Sequence, residues 1–198
     1  MSKHFDIYIV GVGGQGVLTI SNLITQACVA KDLGVNYYPT KGMTQRGGFV
    51  KAQVRCGREP GTYSPSIAPA GADLVISMEL AETLKAIPYA KKGADFVVFG
   101  DRWLPAGVQM GKDSYPTVEE VIGEIKKAGG NVIYLNPEDK PEKMRANLYI
   151  LGSVMAHTEL SELISLEFLQ ELIANKWPKV AEGNLATVKA GAEAKITD

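Results

Sequence analysis

The chain has 198 residues, of which 45% are hydrophobic and 22% are charged, so its composition is that of a globular protein and not of a disordered one. Its 21 basic and 22 acidic residues give a formal net charge of −1, which argues against nucleic acid or an anionic membrane as its main partner. A chain of this length buries roughly 70% of its unfolded surface, so it needs no disulfide or structural metal to hold a core.

The two cysteines, Cys28 and Cys56, are well separated and have no CxxC or other metal-ligand spacing. We therefore expect neither an iron–sulfur cluster nor a zinc site built from this chain's thiols. The first residues carry no secretory leader pattern, and no stretch approaches the ~20 apolar residues of a membrane span. Because two separated cysteines suit a reducing compartment, we expect a cytoplasmic protein.

The first quarter of the chain predicts strands and one helix around glycine-rich connections. Ile7 to Val10 is a short apolar run that ends at a glycine turn. From Gln15 onward, apolar residues recur at helical spacing. Val35 to Tyr38 predicts a second strand, followed by a loop over Thr40 to Gly48. Phe49 to Cys56 alternates between apolar and polar residues, which predicts a strand with one face left to water or a partner.

The middle of the chain continues the alternation of strands and helices. Leu74 to Met78 and Phe96 to Phe99 predict buried strands, separated by a helix from Glu79 to about Ala86. Thr117 and Glu120 form a capping-box pattern that begins the next helix. A strand is expected to follow that helix.

The last third predicts one strand and then helices. Val132 to Leu135 is the last predicted strand. Arg145 to Ala156 is apolar nearly all round, as a central buried helix is, and Ser165 to Ile173 predicts the final amphipathic helix. Residues 190–198 are expected to be a mobile tail.

This order of elements predicts an α/β fold with three layers, in which a mostly parallel sheet has helices on both faces. The first strand-to-helix turn is Rossmann-like and glycine-rich. We expect one domain over residues 1–189 and a C-terminal tail over residues 190–198. Ligands of such sheets bind at the carboxyl ends of the strands.

The turn after the first strand satisfies the pattern GxGxxG with Gly11, Gly13 and Gly16, and Gly14 adds a fourth glycine. Glycine reaches backbone conformations closed to other residues, and amides at a helix N-terminus attract anions. The turn therefore predicts a site for a phosphate or carboxylate. The alternative is that these glycines only let the helix pack closely on its strand. No nicotinamide site is predicted, because the expected acidic residue ~20 residues beyond the turn is missing.

The loop from Lys41 to Gly48 combines two cations, two polar side chains and glycines. Together, Gly11-Val-Gly-Gly-Gln-Gly16 and Gly42-Met-Thr-Gln-Arg-Gly-Gly48, followed by Ser64-Pro65 and Ala72-Asp73, resemble the gamma-type domain of ferredoxin-dependent 2-oxoacid oxidoreductases. Within that family the chain is most similar to the small (beta) subunits of indolepyruvate ferredoxin oxidoreductases. The resemblance covers the chain from the first strand to about Ala190.

The resemblance implies a small, non-redox subunit of an enzyme that oxidatively decarboxylates 2-oxoacids to acyl-coenzyme A, with ferredoxin as acceptor. Thiamine diphosphate and the iron–sulfur clusters then lie on a large partner subunit. The resemblance further implies that this chain is inactive alone, binds no cofactor by itself and contributes residues at or near the coenzyme A site. No catalytic or metal-binding residue is predicted. The candidate binding residues are Gly11, Gly13, Gly14, Gln15, Gly16, Lys41, Thr44, Gln45, Arg46 and Gly47.

Other interpretations stay open at this point. The chain could be the gamma subunit of a pyruvate, ketoisovalerate or 2-oxoglutarate ferredoxin oxidoreductase, or a free-standing nucleotide-binding enzyme. Arg46 could instead hold loop carbonyls or a partner's carboxylate, while Lys51 and Arg55 are expected on a solvated strand face. Trp103 is a candidate interface anchor, although core packing is the commoner fate of tryptophan. His157 is expected to end its helix, where the dipole favours a cation.

Overall fold

The computed structural model describes residues 4–39, 48–57 and 64–197. Within them, one sheet contains six strands: β1 (Phe5–Val12), β2 (Val35–Pro39), β3 (Phe49–Cys56), β4 (Ala72–Ser77), β5 (Ala90–Phe99) and β6 (Asn131–Leu135). The helices are α1 (Val17–Ala30), α2 (Thr83–Ala86), α3 (Ala106–Gln109), α4 (Val118–Lys127), α5 (Ala146–His157), α6 (Leu166–Lys176) and α7 (Ala181–Ala192). No helix of the described part is both long and apolar enough to cross a membrane.

The strand order across the sheet is β2-β3-β1-β4-β5-β6. Parallel pairs join β1 to β4, β4 to β5 and β5 to β6, whereas β3 runs antiparallel to both β1 and β2. Five strands therefore point one way and β3 points the other, which confirms the predicted mostly parallel sheet. We call β2, β3 and β1 the antiparallel half, and β4, β5 and β6 the parallel half.

Helices cover both faces of the sheet, so the predicted three-layer α/β fold is confirmed. Successive residues of a strand point to opposite faces. Ile7 and Ile9 of β1 therefore pack in a core with residues of α1, α5, α6 and α7. Tyr8 and Val10 pack in a second core, on the side of α2 and α4. All eight residues of β1 are buried, as expected of a strand between two cores.

Several helices follow their sequence patterns. The Thr117 hydroxyl accepts a hydrogen bond from the Glu120 amide at 3.2 Å, and the Glu120 carboxylate accepts one from the Thr117 amide at 2.8 Å. The predicted capping box is therefore confirmed. In α5, every residue from 148 to 155 is buried, as predicted for a central helix. The helix expected from Glu79 is shorter, since α2 begins only at Thr83.

The C-terminal region corrects two expectations. The amphipathic helix α6 is followed by α7, so it is not the last helix. Helix α7 packs on α5 so closely that a Cβ added to Gly152 would overlap the carbonyl group of Val188. The boundary placed at residue 189 lies inside α7, and Thr197 pairs with Tyr134 of β6 through two backbone hydrogen bonds of 3.1 and 3.3 Å. The described residues beyond 189 therefore begin as helix and return to the sheet.

The two cysteines also differ from expectation. Cys28 of α1 and Cys56 of β3 form a disulfide, with their Cα atoms 6.3 Å apart. Both side chains are fully buried. The two residues are 28 positions apart in sequence but lie close in space, because α1 packs on β3. The inference from separated cysteines to a reducing compartment therefore does not hold for this chain.

Candidate functional site at the carboxyl end of the sheet

The glycine turn connects β1 to α1 at the end of the sheet where the parallel strands finish. Gly14 and Gly16 have φ angles of 101° and 98°, in the left-handed region that favours glycine. Among the described residues, no heavy atom lies within 4 Å of the position that a Cβ on Gly14 would occupy, so no described side chain covers Gly14. The turn therefore presents its backbone, without a covering side chain, at this residue.

The backbone amides of the turn divide into two groups. The amide of Gly13 donates to the carbonyl oxygen of Gly48 at 3.0 Å, so it is occupied within the protein. The amides of Gly14 and Gly16 and of the first two residues of α1 donate to no group in the part of the chain that the structure describes. Because α1 has no acidic residue in its first turn, its N-terminal dipole is also uncompensated there. Such a set of amides suits an anion.

Gln15 lies in the turn as predicted, but both ends of its side-chain amide are used inside the protein. Its Oε1 accepts a hydrogen bond from the Val12 amide at 2.8 Å. Its Nε2 donates to Oδ2 of Asp101 at 3.0 Å. We conclude that Gln15 fixes the shape of the turn and joins it to the loop after β5.

The packing interpretation of the glycines applies to two of them. A Cβ on Gly11 would come within 2.9 Å of both the Gln15 side chain and Val17 of α1. A Cβ on Gly16 would overlap the side chain of Asn147, in the first turn of α5. Gly11 and Gly16 therefore permit close packing, whereas Gly14 is open. The two interpretations hold for different residues of the same turn.

The second predicted element, the basic loop, lies outside the described residues. This holds for Lys41, Thr44, Gln45, Arg46 and Gly47. The last residue of the loop, Gly48, is described, and its carbonyl oxygen accepts the hydrogen bond from the Gly13 amide. The C-terminal end of the loop is thus attached to the glycine turn. The roles of the five loop residues stay a prediction.

A buried carboxylate that the sequence did not single out as part of the site organises the neighbouring loop. Glu79, which follows β4, is 1% exposed. Its Oε1 accepts hydrogen bonds from the Trp103 amide at 3.0 Å and from the Tyr115 hydroxyl, and its Oε2 accepts one from the Glu82 amide at 2.8 Å. Burial, and then the hydrogen bond to Glu79, raise the pKa of the Tyr115 hydroxyl. The carboxylate therefore fixes both ends of the segment from residue 103 to residue 115.

These contacts link the turns that follow β1, β4 and β5. The Leu80 amide donates to the carbonyl oxygen of Asp101 at 2.9 Å, and the side chain of Asp101 binds Gln15. Trp103 and Met110, in the segment after Asp101, are 49% and 68% exposed. Trp103 is therefore not packed in the core. The available signal for Glu79 and Asp101 was their position directly after two strands, where ligand-binding loops of such sheets lie.

The polar face of β3 is not the solvated face that the sequence predicted. The Arg55 guanidinium forms two hydrogen bonds of 3.1 and 3.0 Å with the Asp6 carboxylate, and the two side chains are only 12% and 2% exposed. The Lys51 ammonium lies 5.8 and 5.6 Å from the ring centroids of Tyr8 and Tyr89. Both cations are therefore occupied by contacts within the chain.

Among the described residues, the other ionisable groups give no second site. His157 is the last residue of α5, as predicted, and its Nε2 is buried with no hydrogen-bond partner among the described residues. The same part of the chain contains no cluster of three or more His, Cys, Asp or Glu that could hold a metal ion. The glycine turn and its neighbouring loops are therefore the best candidate site.

Comparison with known proteins identifies the family. Residues 6–194 match the family model described as pyruvate ferredoxin/flavodoxin oxidoreductase. The chain belongs to this family. It is 32% identical over 193 residues to the indolepyruvate oxidoreductase subunit IorB of Archaeoglobus fulgidus, and the alignment covers 95% of this chain and 94% of that protein. It is 25% identical over 167 residues to the pyruvate/ketoisovalerate oxidoreductases common subunit gamma of Thermococcus kodakarensis, covering 82% of this chain and 81% of that one.

A solved protein structure has the same fold. The 2-oxoglutarate:ferredoxin oxidoreductase from Magnetococcus marinus, solved with 2-oxoglutarate, coenzyme A and succinyl-CoA bound, matches with a TM-score of 0.69 and 22% identity. The match covers 100% of this chain but 32% of that one, so the fold there is part of a longer polypeptide. The family resemblance and the fold class predicted from the sequence are both confirmed.

Proposed function

We propose that this chain is the small, non-redox subunit of a ferredoxin-dependent indolepyruvate or arylpyruvate oxidoreductase. The enzyme oxidatively decarboxylates the 2-oxoacid to its acyl-coenzyme A and passes the electrons to ferredoxin. The proposal depends on one observation: the chain is 32% identical to an IorB subunit over 95% of its length, against 25% over 82% for a pyruvate/ketoisovalerate gamma subunit. The gamma subunit of a pyruvate, ketoisovalerate or 2-oxoglutarate enzyme is the second candidate.

The chemistry is divided between subunits in this proposal. A large partner subunit carries thiamine diphosphate and the iron–sulfur clusters. The cysteines of this chain support that division, since both are buried and joined to each other and are not available as cluster ligands. The proposed compartment is the cytoplasm.

The donor groups of the glycine turn fit the phosphates of coenzyme A. No described atom covers Gly14, and the amides of Gly14 and Gly16 lie at the N-terminus of α1 with no acceptor among the described residues. Amides at a helix N-terminus and charge-assisted contacts from basic side chains are the groups that bind phosphate. Lys41 and Arg46 supply such cations in the adjoining loop. When bound, coenzyme A supplies the thiol that accepts the acyl group.

The large subunit is proposed to contact the same end of the sheet. Trp103 and Met110 expose apolar surface there, on a loop that the buried Glu79 carboxylate holds in place. Exposed aromatic and methionine side chains on a fixed loop are typical of interface residues. In this arrangement the turn, the basic loop and the partner lie close together.

The test is reconstitution with the proposed large subunit, which we expect the neighbouring reading frame to encode. We expect the chain alone to be colourless, free of stoichiometric iron and inactive. The complex should reduce ferredoxin or a viologen dye when it is given coenzyme A and indolepyruvate, with a kcat/KM at least about tenfold above those for pyruvate, 2-ketoisovalerate and 2-oxoglutarate. A preference for one of those three would favour the second candidate. Turnover by the isolated chain with NAD or ATP would contradict both and favour a free-standing enzyme.

A further inference from the structure

The disulfide joins two elements at the end of the sheet opposite the glycine turn. Cys28 lies in the last turns of α1, and Cys56 is the last residue of β3. Their Cα atoms are 6.3 Å apart, within the range that a disulfide bridges without movement of the backbone. Both side chains are fully buried in the core between α1 and the sheet. The pair is therefore placed to bond without remodelling the fold.

The chain enclosed by this bond contains the whole β2–β3 hairpin. Among the described strands, β2 pairs with β3 alone, so its place in the sheet depends on β3. One end of β3 is attached to the glycine turn by the hydrogen bond from Gly13 to Gly48. The other end is attached to α1 by Cys56. These two attachments are about 23 Å apart along an eight-residue strand.

We propose that Cys28 and Cys56 form a reversible redox staple, which sets how firmly the β2–β3 hairpin is held against α1. The bond lies far from the proposed coenzyme A groups, and the inference does not depend on the proposed function. Reduction leaves the hairpin with its strand pairing, its apolar packing and the Ser21–Tyr37 hydrogen bond of 3.0 Å between α1 and β2. Oxidation adds a covalent connection that restricts separation of the β2–β3 hairpin from α1.

The redox step needs a partner, for which a small disulfide such as oxidised glutathione is sufficient. One sulfur of the pair attacks the glutathione disulfide, and the second then displaces glutathione to form the Sγ–Sγ bond. Together the two thiols give up two electrons and two protons, which convert the glutathione disulfide into two thiols. Access requires local opening, and Cys56 is placed for it, because the strand ends there and Gly57 follows with a φ of 74°.

The experiment uses the purified full-length chain, equilibrated with either oxidised or reduced glutathione. Alkylation under denaturing conditions and mass spectrometry should find no free thiol in the first sample and two in the second. The oxidised chain should melt about 5–10 °C higher, as expected for a closed loop of this size in a chain of this length. Hydrogen exchange of the β2 and β3 amides should be about tenfold slower in the oxidised form, with a smaller change in β5.

The matched control is Cys28→Ala, with Cys56→Ala as a second single variant. Each should have the same melting temperature in both glutathione buffers. If a variant does not fold, the comparison of the two forms of the native sequence still decides. Two alkylated thiols after oxidation, or equal melting temperatures and equal hairpin exchange for the two forms, would overturn the proposal.

Discussion

The two halves of the sheet bury their strands in different ways. The parallel half is covered by helices on both sides, and its strands are apolar runs such as Leu74–Ile76 and Phe96–Phe99. In the antiparallel half, residues 64–67, which precede β4, cover one face of β3. That cover depends on polar contacts, including hydrogen bonds of 2.7 Å from Arg55 to the Ser64 carbonyl and 2.5 Å from the Ile67 amide to Gln53. A strand covered by a loop must therefore satisfy the backbone groups of that loop, which apolar side chains cannot do.

The candidate ligand groups belong to the antiparallel half. The glycine turn follows β1, and the basic loop connects β2 to β3. The parallel half contributes Glu79 and Asp101, which hold loops in place. The molecule thus separates a helix-covered, apolar region that provides stability from a region in which β3 has a loop-covered polar face and in which the candidate binding groups lie.

The largest expected effect comes from removing the ion pair that holds this loop cover. Arg55→Ala leaves the Asp6 carboxylate, which is 2% exposed, without its bidentate partner. Breaking a buried pair on one side costs about 3–5 kcal/mol in the free energy of unfolding. Urea unfolding of the purified chain measures this cost.

The control for Arg55→Ala is Lys127→Ala, which removes an exposed pair with Glu124 on α4. We expect this control to change the unfolding free energy by less than about 0.5 kcal/mol. Equal costs for the two variants would mean that the polar face of β3 behaves as a solvated face.

The second prediction concerns ligand affinity in the antiparallel half. In the assembled enzyme, Arg46→Lys should raise the KM for coenzyme A about ten- to a hundredfold, because a lysine does not reproduce a bidentate contact to phosphate. This corresponds to about 1.5–3 kcal/mol for one charge-assisted hydrogen bond. Thiamine-dependent decarboxylation of the 2-oxoacid should be nearly unchanged. Steady-state kinetics and product analysis measure the two effects separately.

Lys127→Arg, on the exposed surface of α4, is the control for Arg46→Lys and should leave the coenzyme A KM unchanged. If Arg46→Lys instead abolishes co-purification with the large subunit at unchanged coenzyme A affinity, Arg46 is an interface residue. The ligand assignment of the basic loop would then be wrong.

The third prediction compares two open glycines, Gly14 in the turn after β1 and Gly123 in α4, the helix between β5 and β6. Gly14→Val should destabilise the chain by about 1–3 kcal/mol and weaken assembly, since valine is strained at a φ of 101°. Gly123, within α4, also has no described atom within 4 Å of an added Cβ, but its φ is not left-handed. Gly123→Ala should therefore stabilise the chain by about 0.5–1 kcal/mol. An unchanged melting temperature and full activity for Gly14→Val would contradict the prediction.

The smallest expected effect is at the capping box of the parallel half. Thr117→Ala should cost about 1 kcal/mol, because the Glu120 amide loses its side-chain acceptor. Thr117→Ser keeps the hydroxyl and should cost only a few tenths of that value. Thermal unfolding of both variants gives the comparison, and equal losses would show that the cap contributes nothing beyond packing.

Local patterns in the sequence were sufficient for much of the fold. The alternation of β3, the capping box at Thr117 and the apolar run of α5 each predicted an element, since each signal is contained in a few consecutive residues. The predicted start of the helix at Glu79 was wrong, because contacts with residues distant in sequence determine the position of Glu79. Its carboxylate binds Trp103 and Tyr115, more than 20 positions away, and the helix begins only after it.

The candidate site shows the same division between local and distant information. The glycine pattern alone predicts a turn that uses backbone conformations open to glycine, and Gly14 and Gly16 adopt such conformations. The pairing of Arg55 with Asp6, by contrast, requires the register between β3 and β1, and alternation specifies only which face a residue occupies. The disulfide could not be predicted from the sequence for a related reason, because Cys28 and Cys56 meet only through the packing of α1 on β3.

The backbone pair between Thr197 and Tyr134 has a practical consequence for handling the protein. Strand β6 is the outermost strand of its side of the sheet, and such strands offer unpaired amides and carbonyls to other molecules. The end of the chain occupies two of these groups. A fusion tag or truncation that draws this segment away would uncover them. We therefore expect the solubility of a recombinant preparation to fall when a tag or truncation displaces Thr197 from β6.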